Sequence, residues 1–381
     1  MKKLLLLCCF LLCGCYNHKE LNDLAICSAM GISYKDGEYD LSLQIVNTSA
    51  FDQKTSSDNA VFSVYNEKGA TVYEAIDKIS KDLSKDITLT QLKIIVIDES
   101  AITDNLDSLV YFLMNDLEIS LNVLVSTTLK STPYDILSVV VPNNEINGTY
   151  LSNLIEVNNS NFGNSYLVDL SNFFVNYLTD YNNIILTNIE LKHPNEDESN
   201  NDILKDTDSV SQLFIDYPVV FNKDDVYKLS FDESIILNLV DNNINGNSLT
   251  FECDGGNFSV MIFKSKIGFD NFKNNNIYLK GNISGTVNEY NCSYDLDESD
   301  TLKKLQDIIK KEIYKMIDSS FDNSKNIKID FLGVGKYLHY NYPDVYKKID
   351  DINTEISNFN VINKIDVSLS KQGNLRGDIN G

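Results

Sequence analysis

The sequence has no tryptophan, a single arginine (Arg376), three histidines and five prolines among 381 residues. Lysine in place of arginine, with abundant asparagine and isoleucine, fits AT-rich coding sequence and carries no functional weight. Positive charge is short too. Against 55 Asp and Glu stand 32 Lys and Arg, a formal net charge of −23. Such a surface repels nucleic-acid phosphates and anionic headgroups alike, which argues against nucleic-acid binding and against a basic patch that holds an anionic leaflet. Long apolar runs are also missing. The stretch Leu4–Leu12 is about half the ~20 residues a membrane-spanning helix needs.

Catalytic signatures are equally scarce. His18, His193 and His339 are far apart, without HExxH or metal-ligand spacing, and no GxSxG elbow accompanies them. Carboxylates are so numerous that any two could be drawn as a glycosidase pair, so their presence carries no signal. Gly333-Val334-Gly335 lacks the third glycine and the lysine-serine ending of a phosphate loop. It is expected to be a tight structural turn that sets a helix end against a neighbour. These features predict no catalytic residue, no metal site and no cofactor.

What is present begins at the N-terminus. Lys2 and Lys3 precede the apolar run, and Leu12-Cys13-Gly14 precede Cys15. This is a lipoprotein signal over residues 1–14, with cleavage between Gly14 and Cys15 and a diacylglyceryl group on the Cys15 thiol. Two acyl chains, at roughly 0.8 kcal/mol per buried methylene, hold a soluble domain at a membrane without other contacts. An ordinary secretory signal is the plainer alternative. Loss of Lys2 and Lys3 with the leader takes the charge from −23 to −25. Of seven cysteines, Cys8, Cys9 and Cys13 leave with the signal and Cys15 is acylated, so Cys27, Cys253 and Cys292 remain as thiols. Three free buried thiols are the expected state; a Cys253–Cys292 bridge between neighbouring strands is the alternative.

Along the chain, 24–34 and 38–47 alternate around Lys35-Asp36-Gly37 as a hairpin, with Leu41, Leu43 and Ile45 on one face. A strand at 61–65 follows, then a helix from Val72 through Ile76, Ile79 and Leu83, and a buried strand at 92–97. Ser100 is expected to cap one helix whose inner face is Ile102, Leu106, Leu109, Leu113 and Leu117. A strand at 122–127, a mainly helical stretch to about 180 and a strand at 184–191 complete the first region. Residues 193–209 are polar and acidic, a linker between regions 16–192 and 210–376. Beyond it, 210–217 and 219–229 suggest a hairpin, Ser234–Leu239 a short helix, and 249–253 with 258–264 a hairpin around Asp254-Gly255-Gly256-Asn257. A strand at 277–290, a long amphipathic helix at 300–321 and a last strand at 361–369 close the chain. The fold class expected is α+β: two to three compact domains, each with a sheet and packed helices.

Three segments carry a resemblance. Gly14-Cys15-Tyr16-Asn17-His18-Lys19-Glu20-Leu21-Asn22-Asp23-Leu24-Ala25 is similar to the opening Gly-Cys-Trp-Asp, Glu-Leu-Asn, Leu-Ala of the Ger(x)C family. Gly69–Ala75 with Leu92–Glu99 and Ala101 resembles its helix and strand. Asp330-Phe331-Leu332-Gly333-Val334-Gly335 with Tyr342-Pro343 and Tyr346 resembles its Asp-x-x-Gly-hydrophobic-Gly and Pro-x-x-Trp segments. Tyr16 and Tyr346 stand where Trp is usual, and Gln91 where His is. The family comprises lipoprotein C subunits of spore germinant receptors. The resemblance implies a non-enzymatic subunit, lipid-anchored on the outer side of the spore inner membrane, assembled with a membrane-spanning A subunit and a transporter-like B subunit. It also implies three mixed α/β domains, with a division near Ser131. The competing readings are a substrate-binding lipoprotein of a transporter and an extracytoplasmic hydrolase.

Overall fold

The computed structural model describes residues 23–48, 60–141, 146–192, 213–222, 225–241, 246–296, 298 and 300–371. β1 (Leu24–Lys35) and β2 (Glu38–Val46) form the first hairpin. Its two turn residues, Asp36 and Gly37, both have positive φ, 54° and 87°, the type I′ geometry that matches strand twist. β3 (Phe62–Gly69) pairs with β2, and α1 (Val72–Asp82) follows. The Thr71 side chain accepts from Glu74 N–H in the first turn, and the Glu74 carboxylate reaches back to accept from Ala70 N–H before the cap. β4 (Asp86–Thr88) lies parallel to the first residues of β1, and β5 (Ile94–Asp98) parallel to its middle. Ile94 to Ile97 are all fully buried because helices cover both faces of this central strand.

Where one helix was expected after β5, there are two: α2 (Glu99–Thr103) and α3 (Leu106–Asn115). Asp98, not Ser100, caps α2; the Ser100 hydroxyl instead accepts Tyr34 N–H at the end of β1. The chain turns at Asp104-Asn105 and again at Asp116, so Leu117 falls past the helix and is 98% exposed rather than inward. β6 (Leu124–Thr128) is followed by α4 (Pro133–Ser138), α5 (Asn147–Phe162) and α6 (Leu170–Leu178). β7 (Ile184–Leu191) is buried along its whole length.

β8 (Leu213–Asn222) and β9 (Asp225–Lys228) differ from the expected hairpin around Pro218. Pro218 lies inside β8, opposite Thr187, and the strand tolerates it through an irregularity: Tyr217 takes φ 30° where the register with β7 shifts. The hairpin bend therefore comes after Asn222. The order β3-β2-β1-β5-β6-β7-β8-β9 makes one large mixed sheet, parallel from β1 through β7 and antiparallel outside, with β4 beside β1. Residues 193–209 lie outside the described residues; the strands that flank them, β7 and β8, pair in this sheet.

α7 (Phe231–Val240) begins with a complete Ser230–Glu233 capping box. A second sheet, β10 (Asn247–Cys253), β11 (Gly256–Lys273), β12 (Asn276–Tyr290) and β13 (Asn360–Lys371), follows in that order. α8 (Thr301–Ile327) crosses it with Leu305, Ile309, Ile313, Ile317 and Phe321 inward, and runs past the expected end. α9 (Val334–Asn341), α10 (Pro343–Tyr346) and α11 (Ile352–Glu355) lead to β13. Cys253 and Cys292 are bridged, Cα atoms 5.8 Å apart, and only Cys27 of the described cysteines is free. This corrects the expectation of three free thiols: the β10–β11 turn brings Cys253 beside the residues that follow β12, with Ser293 N–H on Asp254 O.

Three apolar clusters hold the layers. One packs α1, α3 and α6 on one face of the large sheet, and one packs α4 and α5 on the other. The third lies between the second sheet and α7, α8 and α9. The fold is mixed α+β with two sheets and packed helices. Among the described residues, no helix is long and apolar enough to cross a membrane.

Candidate functional site

Gly14 and Cys15 lie outside the described residues. The chain enters view at Asp23, and Leu24 starts β1 beside Asp86 of β4. Gly333 and Gly335 sit at the start of α9 around a buried carboxylate. Asp330 is 3% exposed and accepts three backbone N–H groups, from Gly333 at 3.0 Å, Val334 at 3.0 Å and Gly335 at 2.6 Å. A helix N-terminus offers just such unpaired donors, and a short acidic side chain three residues upstream reaches them. Gly333 makes the turn with φ 80°, a conformation that side chains with a Cβ avoid. At Gly335 the constraint is space. A Cβ there would stand 2.8 Å from Ile352 Cγ1 and 3.0 Å from the Tyr181 carbonyl oxygen.

Burial pushes the Asp330 carboxyl up to about 6, although the N–H groups of Gly335, Val334, Gly333 and Leu332 pull it down. The same residue links the two sheets. Its N–H donates to Asn353 Oδ1 at 2.8 Å, and its carbonyl accepts from Asn183 Nδ2 at 3.0 Å. Asn183 also donates to Asn353 at 2.9 Å, and Asn353 donates to Asn222 Oδ1 at 3.3 Å. Asn183 precedes β7 and Asn222 ends β8, so the ends of two interior strands of the large sheet are fastened to α9 and α11.

Aromatic rings close over this joint. Tyr181 lies 4.4 Å from the His339 ring and its hydroxyl 3.0 Å from that of Tyr340, while Tyr346 stands 5.1 Å from His339. Burial, then the negative Asp180, raises the Tyr346 hydroxyl. His339 is thus one ring in an aromatic stack with Tyr181, Tyr340 and Tyr346. The Asp330 carboxylate is spent on backbone donors. The arrangement fastens α9 and α11 to the large sheet. No cluster of His, Cys, Asp and Glu among the described residues has metal-site geometry.

Reading the sequence singled out the two glycines and left the carboxylate unassigned. Asp three residues before a helical glycine was the available signal. Nothing local pointed to Asn183, Asn222 and Asn353. A second missed anchor is Glu190, 2% exposed on β7, which accepts the N–H groups of Leu129, Lys130 and Ser131 at 3.0, 3.0 and 2.9 Å. It ties Ser131 to the sheet.

A cleft of about 450 Å³ opens between α1, β4 and the segment after α3. Its floor includes Ile76 and Leu89, and its rim Asp86, Asp116, Glu118 and Lys85.

Comparison with known proteins places these features in a context. A family model described as "Spore germination protein N-terminal domain" matches residues 17–191. One described as "Spore germination B3/GerAC like, C-terminal" matches residues 219–373. "Spore germination protein KC" of Bacillus subtilis (strain 168) is 23% identical over 362 residues, covering 91% of this chain and 89% of that protein. "Putative spore germination protein YfkR" of the same organism is 28% identical over 104 residues, 26% of this chain and 27% of that one. The crystal structure of the GerBC protein superposes with a TM-score of 0.57 at 16% identity, over 93% of this chain and 99% of that one.

Proposed function

The chain belongs to the spore germination family of those two domain models, the family of GerAC-like (Ger(x)C) proteins, and from that premise we propose that it is the lipid-anchored C subunit of a spore germinant receptor. It acts by assembly, not catalysis. Integral membrane A and B subunits are its partners, and germination in response to a nutrient or other germinant is the output. The carrying observation is succession: the first family model begins at residue 17, directly behind Gly14-Cys15, and the second follows it to residue 373. Cleavage before Cys15 and diacylation of its thiol place the chain on the outer face of the spore inner membrane. The net charge of −23 leaves little electrostatic attraction to an anionic leaflet, so the anchor carries attachment. The Cys253–Cys292 bridge fits an extracytoplasmic compartment.

The alternative of a transporter's substrate-binding lipoprotein calls for two similar α/β lobes. The second sheet, β10-β11-β12-β13, is built of hairpins and one parallel strand, unlike the first. The test is recovery of partners. A tagged full-length chain, solubilised from spore membranes in mild detergent, should bring down the A and B subunits of a germinant receptor. Recovery of the chain without either subunit contradicts the proposal.

A further inference from the structure

An exposed apolar surface occupies one side of the large sheet. α3 turns Tyr111 and Met114 outward, and α6 turns Val175 and Leu178 outward, each pair one helical turn apart. Leu117 and Leu121 continue the surface in the segment between α3 and β6. One hydrogen bond joins the helices, from the Tyr177 hydroxyl to Asp107 at 2.8 Å, and Ser171 N–H donates to Leu121 O at 3.1 Å, which ties α6 to the segment after α3. Six large apolar side chains left exposed on these linked segments of so acidic a protein point to a contact surface. Its tyrosine and methionine are typical of protein interfaces.

The position of the patch narrows the occupant. The Glu118 carboxylate accepts Leu89 N–H at 3.0 Å, and Thr88 of β4 lies beside Ile26 of β1, so Leu117 stands at the edge where β1 begins. Seven residues lie between Cys15 and Asp23, a reach of at most about 30 Å. A diacylated Cys15 therefore keeps this edge next to the bilayer. Charge then decides between bilayer and protein. Asp116 and Glu118 flank Leu117, and with Asp86 they outnumber Lys85 on the rim of the 450 Å³ cleft, which stays net negative. Carboxylates on both sides of the protruding leucine disfavour an anionic lipid surface, whereas they complement lysine or arginine on a protein.

We propose that the cleft and the α3–α6 stripe form one docking surface for a membrane-embedded protein partner, which presents an apolar segment flanked by lysine or arginine. The inference rests on the reading of Cys15 as a lipid anchor and of the chain as a receptor subunit; it adds which face meets the A or B subunit.

The experiment uses the tagged, lipidated full-length chain in spores. Tyr111→Glu with Leu117→Glu, both at exposed positions, should leave abundance and membrane fractionation unchanged. Recovery of the A and B subunits should fall at least tenfold. Phe263→Glu, an exposed apolar position on the second sheet, should leave recovery intact. Undiminished recovery with the double variant overturns the inference, as does an equal loss with Phe263→Glu. Failure of the wild-type chain to recover either subunit overturns instead the proposed function. In a second measurement, Leu117→Cys carries a polarity-sensitive dye. Its emission should shift to the blue when A and B are reconstituted with it, and stay water-like in vesicles of phosphatidylglycerol and phosphatidylethanolamine alone. A blue shift in lipid alone assigns the patch to the bilayer and overturns the protein partner.

Discussion

Asp330→Ala removes the acceptor for three buried N–H groups at once, those of Gly333, Val334 and Gly335. Each bond to a charged acceptor is worth about 1.5–3 kcal/mol, so the gross loss is roughly 4.5–9 kcal/mol. Part is offset. A carboxyl that titrates near 6 in the fold rather than at 3.8 costs roughly 3 kcal/mol at pH 7, at about 1.36 kcal/mol per tenfold change, and the variant escapes that cost. A net loss of roughly 1.5–6 kcal/mol remains, a fall in melting temperature of at least about 3 °C at about 2–4 °C per kcal/mol. The pH arm has a definite sign. The folded protein keeps the Asp330 proton up to about pH 6, while the unfolded chain releases it near 3.8. Between those values the native state binds more protons, so this group's contribution to stability falls as pH rises. The gap between wild type and variant should widen by about 1–2 kcal/mol from pH 7 to pH 4.5. Thermal melts followed by tyrosine emission, which no tryptophan obscures, measure both. A variant that melts within a degree of wild type, or a gap that narrows on acidification, refutes the reasoning.

Removal of the Cys253–Cys292 bridge in the double Ser variant closes no loop of 39 residues, and should cost up to about 4 kcal/mol; equal denaturant midpoints for the variant and the oxidised protein would contradict this. Cys27 is buried and its thiol pushed up to about 12 by desolvation, so a thiol reagent at pH 8 should label it only in denaturant; rapid labelling of the folded chain would show the site open. Gly335→Val drives new atoms toward Ile352 and the Tyr181 carbonyl and should destabilise by about 1–3 kcal/mol, read as reduced abundance with germinant choice unchanged. Gly333→Ala meets no atom within 4 Å and should cost only the left-handed strain of about 1–2 kcal/mol; a larger loss in a denaturant titration would mean that the turn does more than bend.

Strand and helix periodicity was legible where one cluster of buried residues sets the pattern. β7 matches its expected range, and the α8 stripe Leu305, Ile309, Ile313, Ile317 reads directly as a buried face. The misreadings have local causes. Leucines at helical spacing ran through Asp104-Asn105 and Asp116, polar residues that satisfy their own turns, so α2 and α3 merged and Leu117 was turned inward. Pro218 looked like a hairpin bend because nothing nearby announces that Tyr217 takes positive φ. The disulfide depends on the register of β11 against its neighbours, which spacing alone does not set. The Asp330 joint was half visible. Gly333 and Gly335 advertise a backbone constraint, but Asn183, Asn222 and Asn353 join it from separate parts of the chain. Asparagine is so common in this sequence that three more attract no notice. The apolar patch was hidden for the opposite reason, since outward leucines and inward leucines look alike in one dimension.

The reading of this protein as a tethered receptor subunit turns on Cys15. Spores that carry Cys15→Ala should show the protein missing from inner-membrane fractions and a germination response to the specific germinant that is strongly reduced. Spores that lack the protein from membranes yet germinate at the wild-type rate would contradict it.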